Sequence, residues 1–413
     1  MTEVSNGSEG SGGVERSAGS ERSAAGDERR LPAVLTHGPS REWLAAGGLP
    51  RVIGHLDLTA SGAEELLTVD AWFEAAPAGG AERLVVLGET CYDAEDAWAP
   101  AAVAVDGTSG EVVLVIVDDD GGVRRDRLAT DVWTLTSLLG QVEAVTDQAG
   151  LVLDPRAEGF IPRGPAAVAR IARVAGGSLR ETDPELFRHW DDRPPHWDTA
   201  VGIRALGWAA LPGEGLAYAL DAALVEELAE LTGCEVRRYA EDDLPAQLSH
   251  GPSRRLLTEL GLPVGGSAMF VADAEGPLPT MAECYPDSTD EEDGSERPYQ
   301  AGFLVLSEWT YDLTVLLDGA TGRVELSDWG ADGELAAYLH GDLSALLLTL
   351  WTYERLRAAR DRESGPWAVF SPGEMYSGAA EDMLRALDPK AWATEDHFWP
   401  LLADDGHMGE LLD

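Results

Sequence analysis

A chain of 413 residues, 44% hydrophobic and carrying 13 tryptophans, has material for two or three full cores, which excludes a wholly disordered protein. Its 74 acidic residues against 30 lysines and arginines leave a formal charge of −44, which repels nucleic-acid phosphates and anionic membrane surfaces and favours basic partners. Cys91, Cys234 and Cys284 are odd in number and widely spaced, which suits a reducing compartment. With no signal-peptide pattern in residues 1–6 and no apolar run of about 18 residues, a cytosolic location is expected.

Residues 1–30 are rich in Gly, Ser and Glu and hold no aromatic residue, so they bury too little apolar surface to offset the entropy of ordering and are read as a disordered tail. The segment that follows, LPAVLTHGPSREWLAAGGLP at 31–50, returns at 244–263 as LPAQLSHGPSRRLLTELGLP, with 13 of 20 positions identical. Each predicts a short helix, with Pro39 or Pro252 at its first position and Gly48 or Gly261 ending it before a proline. Further on, Leu84 to Glu89 matches Leu304 to Glu308 in type, and Tyr92-Asp93 recurs as Tyr311-Asp312. The run Val105-Asp-Gly-Thr-Ser-Gly-Glu-Val112 recurs as Leu317-Asp-Gly-Ala-Thr-Gly-Arg-Val324, predicting a β-hairpin in each copy, with Asp106 and Asp318 entering the turn. A helix then opens on Asp131 or Asp342 as cap. Leu135, Leu138, Leu139 and Val142 match Leu346, Thr349, Leu350 and Tyr353 at helical spacing. A fainter echo links Leu179-Arg180, Asp183-Pro184 and His196-Trp197 to Leu384-Arg385, Asp388-Pro389 and Phe398-Trp399, giving about 180 residues per copy. The fold class is therefore α+β, in tandem domains at 31–220 and 221–413. The Ala- and Leu-rich helix from Asp221 to Leu231 either bridges them or opens the second.

Catalytic patterns are weak. His37 and Ser40, and again His250 and Ser253, offer a base beside a nucleophile, but at a helix start the simpler reading is capping and packing. Asp118-Asp119-Asp120-Gly121-Gly122 lacks the alternating ligands and distal Glu of a calcium loop, and no zinc spacing or phosphate-binding loop occurs, so neither metal nor cofactor is expected. The acidic run Asp290, Glu291, Glu292 and Asp293 reads as a solvated loop or as part of an interface. Trp309, Tyr311 and Trp329 alternate with Asp312 and Asp328 around the second hairpin, an aromatic set ringed by charge that suits a protein interface, core packing being the competing account. Together with Asp118, Asp119 and Asp120 these residues form the candidate partner-binding set. The first copy has Thr90 in place of Trp309 and about seven extra residues near Ala97 to Ala101, so the two modules need not bind the same thing.

The stretches His250 to Pro263, Leu304 to Leu306, Asp318 to Val324, Asp342 to Glu354 and Asp388 to Trp399, with weaker counterparts in the first copy, resemble the SUKH superfamily, and within it the bacterial immunity proteins common in actinobacteria. The resemblance implies an α+β binding module with a mixed or mostly antiparallel central sheet, no catalytic residues, and a partner that is a toxin of a polymorphic secretion system, often a nuclease. A basic toxin cleft fits the acidic charge. Two other readings stay open: a cytosolic scaffold or regulator of the same fold, and an enzyme using His250 or His37.

Overall fold

The computed structural model describes residues 31–47, 49, 52–53, 56–73, 81–90, 101–117, 121–147, 162–188, 195–210, 216–265, 270–272, 276–286, 298–309, 313–327, 337–363, 369, 372–394 and 397–403. Within them the sequence repeat is a repeat in space. The first copy runs α1 (Gly38–Ala45), β1 (Val52–Ile53), β2 (Leu56–Asp57), α2 (Val69–Trp72), β3 (Leu84–Thr90), β4 (Ala102–Asp106), β5 (Val112–Val117), β6 (Val123–Ala129), α3 (Val132–Asp147), α4 (Pro165–Thr182) and α5 (Pro195–Ala210). The second runs α6 (Ala222–Thr232), β7 (Glu235–Arg237), α7 (Gly251–Glu259), β8 (Leu262–Val264), β9 (Phe270–Ala272), α8 (Met281–Cys284), β10 (Leu304–Trp309), β11 (Leu313–Leu317), β12 (Val324–Leu326), β13 (Tyr338–His340), α9 (Leu343–Glu363), α10 (Pro372–Leu387) and α11 (Phe398–Ala403).

Among the described residues, β1 to β6 form one sheet in sequence order and β7 to β13 a second. Every pairing is antiparallel except β8 with β9. Strand registers equate Val85 with Leu304, Val113 with Glu325 and Ala129 with His340. Even the irregularities repeat: a bulge falls between Val86 and Gly88 and again between Val305 and Ser307, and the register also shifts after Val112 and after Val324. The predicted hairpins are β4–β5 and β11–β12. Edge strands are kept unattractive to further pairing: β7 and β13 are three residues long, and β6 carries Arg124, Arg125, Asp126 and Arg127 in succession.

Two details of the opening helices differ from the sequence reading. Proline stands at the second helical position, after Gly38 or Gly251, and in the first copy it is Gly47, at φ +72°, that turns left-handed beyond the helix rather than Gly48, which lies outside the described residues. In the second copy Gly261 does so as expected, at φ +84°. At the junction α6 leads straight into β7, whose partner is β8 of the second sheet.

The helices α1, α3, α4 and α5 pack on one face of the first sheet, while Val69 of α2 belongs to the cluster on the other. α4 buries Val168, Ile171 and Leu179 at helical spacing, a stripe that faces the core, each such side chain contributing about 1.5–3 kcal/mol. α9 instead buries Leu346, Leu347, Leu348, Leu350, Trp351 and Tyr353, residues that point in every direction, because it is enclosed by its own sheet, α6 and α10. The copies meet through these helices. One apolar core holds Ala205, Leu206 and Trp208 of α5 together with Met383 and Leu384 of α10 and Leu228 of α6. Asp126 accepts the Val369 N–H at 3.0 Å across the same junction, and burial raises its pKa against that hydrogen bond and Arg124. Glu227 of α6 accepts Trp351 Nε1–H at 3.1 Å and two Arg355 bonds at 3.0 and 2.9 Å. Glu227→Ala should therefore cost about 1–2 kcal/mol in denaturant unfolding, and an unchanged midpoint would remove this tie from the account.

Candidate partner interface

The repeated His-Gly-Pro-Ser does form a close pair: His37 Nδ1 lies 2.8 Å from Ser40 Oγ, and His250 Nδ1 lies 2.8 Å from Ser253 Oγ. Neither histidine caps the backbone of its helix, so that half of the expectation is corrected. Packing is what the residues do. Both serines are 2% exposed, and each imidazole lies on the left-handed glycine of the neighbouring hairpin turn. A Cβ on Gly110 would come within 2.2 Å of His37 Nδ1, and one on Gly322 within 2.2 Å of His250 Nδ1. The backbone completes the lock: Thr36 and His37 donate to the Gly107 carbonyl at 2.7 Å, and Ser249 and His250 donate to that of Gly319 at 2.8 Å. The pair fastens the opening helix to the hairpin.

The Asp-Pro echo is a second fastening. Asp183, after α4, accepts Thr130 N–H at 2.9 Å, Thr130 Oγ1–H at 2.6 Å and Leu186 N–H at 3.0 Å. Asp388, after α10, accepts Gly341 N–H at 3.0 Å and Tyr338 O–H at 2.9 Å. Thr130 and Gly341 each precede the aspartate that caps the next long helix, where Asp131 accepts Thr134 N–H and Asp342 accepts Ser344 N–H, both at 2.7 Å. Burial and the Asp388 carboxylate push the Tyr338 phenol up, while Lys390, the one lysine in the chain, places Nζ 3.9 Å over its ring.

Most of the candidate partner-binding set, namely Tyr311, Asp312, Asp328, Trp329, Asp290, Glu291, Glu292, Asp293, Asp118, Asp119 and Asp120, lies outside the described residues. Trp309 is the last residue of β10, its backbone paired with Leu313 and Phe270. Among the described residues, the face of the second sheet that carries Glu308 and Glu325 holds several hydrogen-bonded polar groups. Tyr285 donates to Glu308 at 2.6 Å, a bond that, with burial, raises the phenol pKa. Glu325 is fully buried and accepts Tyr299 O–H at 2.9 Å and Gln300 Nε2–H at 2.8 Å, with Arg323 at 2.5 Å. In the first copy the same face is apolar, a cluster of Val69, Ala81, Leu84, Val86, Ala104 and Val113. Glu325 was missed in the sequence reading, although Val113 facing Glu325 across the matched hairpins was a visible signal.

The copies also differ beside their opening helices. In the second, the linker runs along the groove between α7 and the start of α9. Ala217 N–H donates to Asp342 Oδ2 at 3.2 Å, Tyr218 N–H to Ser344 Oγ at 2.7 Å, and Tyr218 O–H to Glu259 at 2.9 Å, with the Arg255 guanidinium 5.6 Å from the Tyr218 ring centre. Burial and Glu259 raise the phenol to about 12. Tyr218 holds φ at +105°, a conformation that costs about 1–3 kcal/mol and persists only because these contacts over-determine it. Among the described residues, no group of three or more His, Cys, Asp or Glu side chains converges as metal ligands, and no helix is long and apolar enough to cross a membrane.

A tandem α+β architecture locked by matched turns, with contrasting outer faces, defines a duplicated binding scaffold. The family model of the SUKH-4 immunity protein matches residues 11–202 and again 223–405, and the chain belongs to that family. Membership implies a toxin-neutralising immunity function. No curated protein and no solved structure matches the chain.

Proposed function

We propose that the chain is a non-enzymatic, cytosolic immunity protein that neutralises a basic toxin domain, a nuclease among the candidates, through acidic surface on its second copy. The observation that carries this reading is the formal charge of −44 on a member of an immunity family. Such a charge steers a basic cleft into contact and raises association rates by about 10–1000-fold at low salt. The hydrogen-bonded polar groups Glu308, Tyr285 and Tyr299 beside the second sheet support the choice of the second copy, since the matching face of the first is a buried apolar cluster. The interface comprises Trp309, Tyr311, Asp312, Asp328 and Trp329 with Asp290, Glu291, Glu292 and Asp293; Asp118, Asp119 and Asp120 extend the acidic surface on the first copy. The domain limits are 31–220 and 221–413.

Co-expression with the toxin domain encoded beside its gene should restore growth. Replacing Asp290, Glu291, Glu292 and Asp293 by lysine should slow association about tenfold at low salt, the difference fading as salt rises. Absence of rescue sinks the reading; an unchanged low-salt rate sinks the acidic steering.

A further inference from the structure

Among the described residues, the groove that the linker fills in the second copy is open in the first. A cavity of about 320 Å³ lies between α1 and the start of α3, lined by Glu42, Trp43, Ala46, Asp131 and Trp133 among others. Four of these positions, Glu42, Ala46, Asp131 and Trp133, answer to those that hold the linker. The matched opening segments equate Glu42 with Arg255, Trp43 with Leu256 and Ala46 with Glu259, and the matched helix caps equate Asp131 with Asp342 and Trp133 with Ser344. Each residue of the second copy that contacts Ala217 or Tyr218 through a hydrogen bond or a cation–π approach therefore has its counterpart in the cavity wall of the first. The first copy's groove has the form of a seat for extended polypeptide, with nothing among the described residues in it.

Its chemistry differs from that of the occupied seat in one direction. Where Arg255 covers a neutral tyrosine ring, Glu42 presents a carboxylate, and where the second copy has Leu256 and Ser344 the first has two indoles. Trp133 is 58% exposed, an unusual state for the largest apolar side chain, and Trp43 Nε1 is buried without a hydrogen-bond partner among the described residues. Two aromatic faces beside a carboxylate attract a cation, and a buried indole N–H suits a peptide carbonyl.

We infer that the first copy binds an extended segment of the partner protein, taking an arginine or lysine of that segment between Trp43, Trp133 and Glu42 where the second copy takes Tyr218. This rests on the reading of the chain as a binder of a basic protein, and adds a site on the copy not assigned the main interface. The segment's N–H groups would meet Asp131 as the linker's meet Asp342.

The test uses the full chain and three amidated pentapeptides: Leu-Ala-Tyr-Ala-Leu, which copies residues 216–220, and versions with arginine or glutamate at the central position. Binding is followed by the indole N–H resonances of Trp43 and Trp133. The arginine peptide should shift both saturably and bind at least about fivefold more tightly than the tyrosine peptide, with the glutamate peptide inactive. Glu42→Arg, which installs the residue of the second copy, should reverse the order and favour tyrosine; a merely structural role for Glu42 would not reverse it. The inference falls if no peptide shifts either indole, or if the shifts appear only after residues 1–30 are removed, which would make the chain's own segment the occupant. It falls equally if the indoles respond to protein concentration alone, the mark of a second copy of this chain. No toxin enters this assay, so its failure leaves the growth rescue standing, and loss of growth rescue leaves the peptide preference standing.

Discussion

Gly322→Ala is expected to lower the free energy of unfolding by about 2–4 kcal/mol, far more than an exposed turn substitution normally does. Two independent costs combine. The residue sits at φ +85°, where a Cβ is strained by about 1 kcal/mol or more, and the added methyl would lie 2.2 Å from His250 Nδ1. The ring has little freedom to retreat, because Nδ1 is bonded to Ser253 Oγ and the His250 N–H is held by the Gly319 carbonyl. The two costs separate in a double-mutant cycle: in a His250→Ala background the clash is gone and only the backbone part, about 1 kcal/mol, should remain. Gly110→Ala should behave likewise against His37, with φ +82° and the same 2.2 Å approach. Urea midpoints measure both; a loss below about 0.5 kcal/mol would mean that the lock bears no strain.

Asp388→Ala should cost about 2–4 kcal/mol, since it strands the Gly341 N–H and the buried Tyr338 hydroxyl together. Its acid dependence has a definite sign. Burial pushes the Asp388 carboxyl up, but His340, the Gly341 N–H and Tyr338 outweigh it and hold the group at about 2. A folded pKa below the unfolded value of about 3.9 means the ionised group contributes its full stabilisation above pH 4 and loses it as pH falls towards 2. The stability gap between the natural chain and Asp388→Asn should therefore narrow by about 2 kcal/mol across that window. A gap that stays constant from pH 6 to pH 2 would show that the carboxylate carries no such linkage.

Repetition made much of this fold legible. A lone D-G-x-[ST]-G says only that a turn is present, but two copies at matched distances from His-Gly-Pro-Ser place hairpin and helix in one frame. The same redundancy located Asp183 and Asp388, whose chemistry was not readable, because their partners Thr130 and Gly341 lie about 50 positions upstream and only folding brings them together. Trp133 and Tyr218 stayed silent for a related reason. Each became informative through the counterpart at its position in the other copy, and the linker follows no pattern that periodicity would reveal. The interface set rested on aromatic and acidic residues in loops, where local sequence constrains conformation least. The structure places Trp309 at the end of a strand, and the buried Glu325, two strands away, is the clearer mark that the two copies diverged.

The common helical layer has a further consequence. Because α5, α6, α9 and α10 share one apolar core across the junction, neither half can lose its packing without exposing that of the other. Melting should be a single cooperative event, and duplication here did not yield two beads on a string but one indivisible body. In such a body one copy can keep the frame while its twin's loops drift, which lets recognition change quickly on a scaffold whose stability is jointly guaranteed.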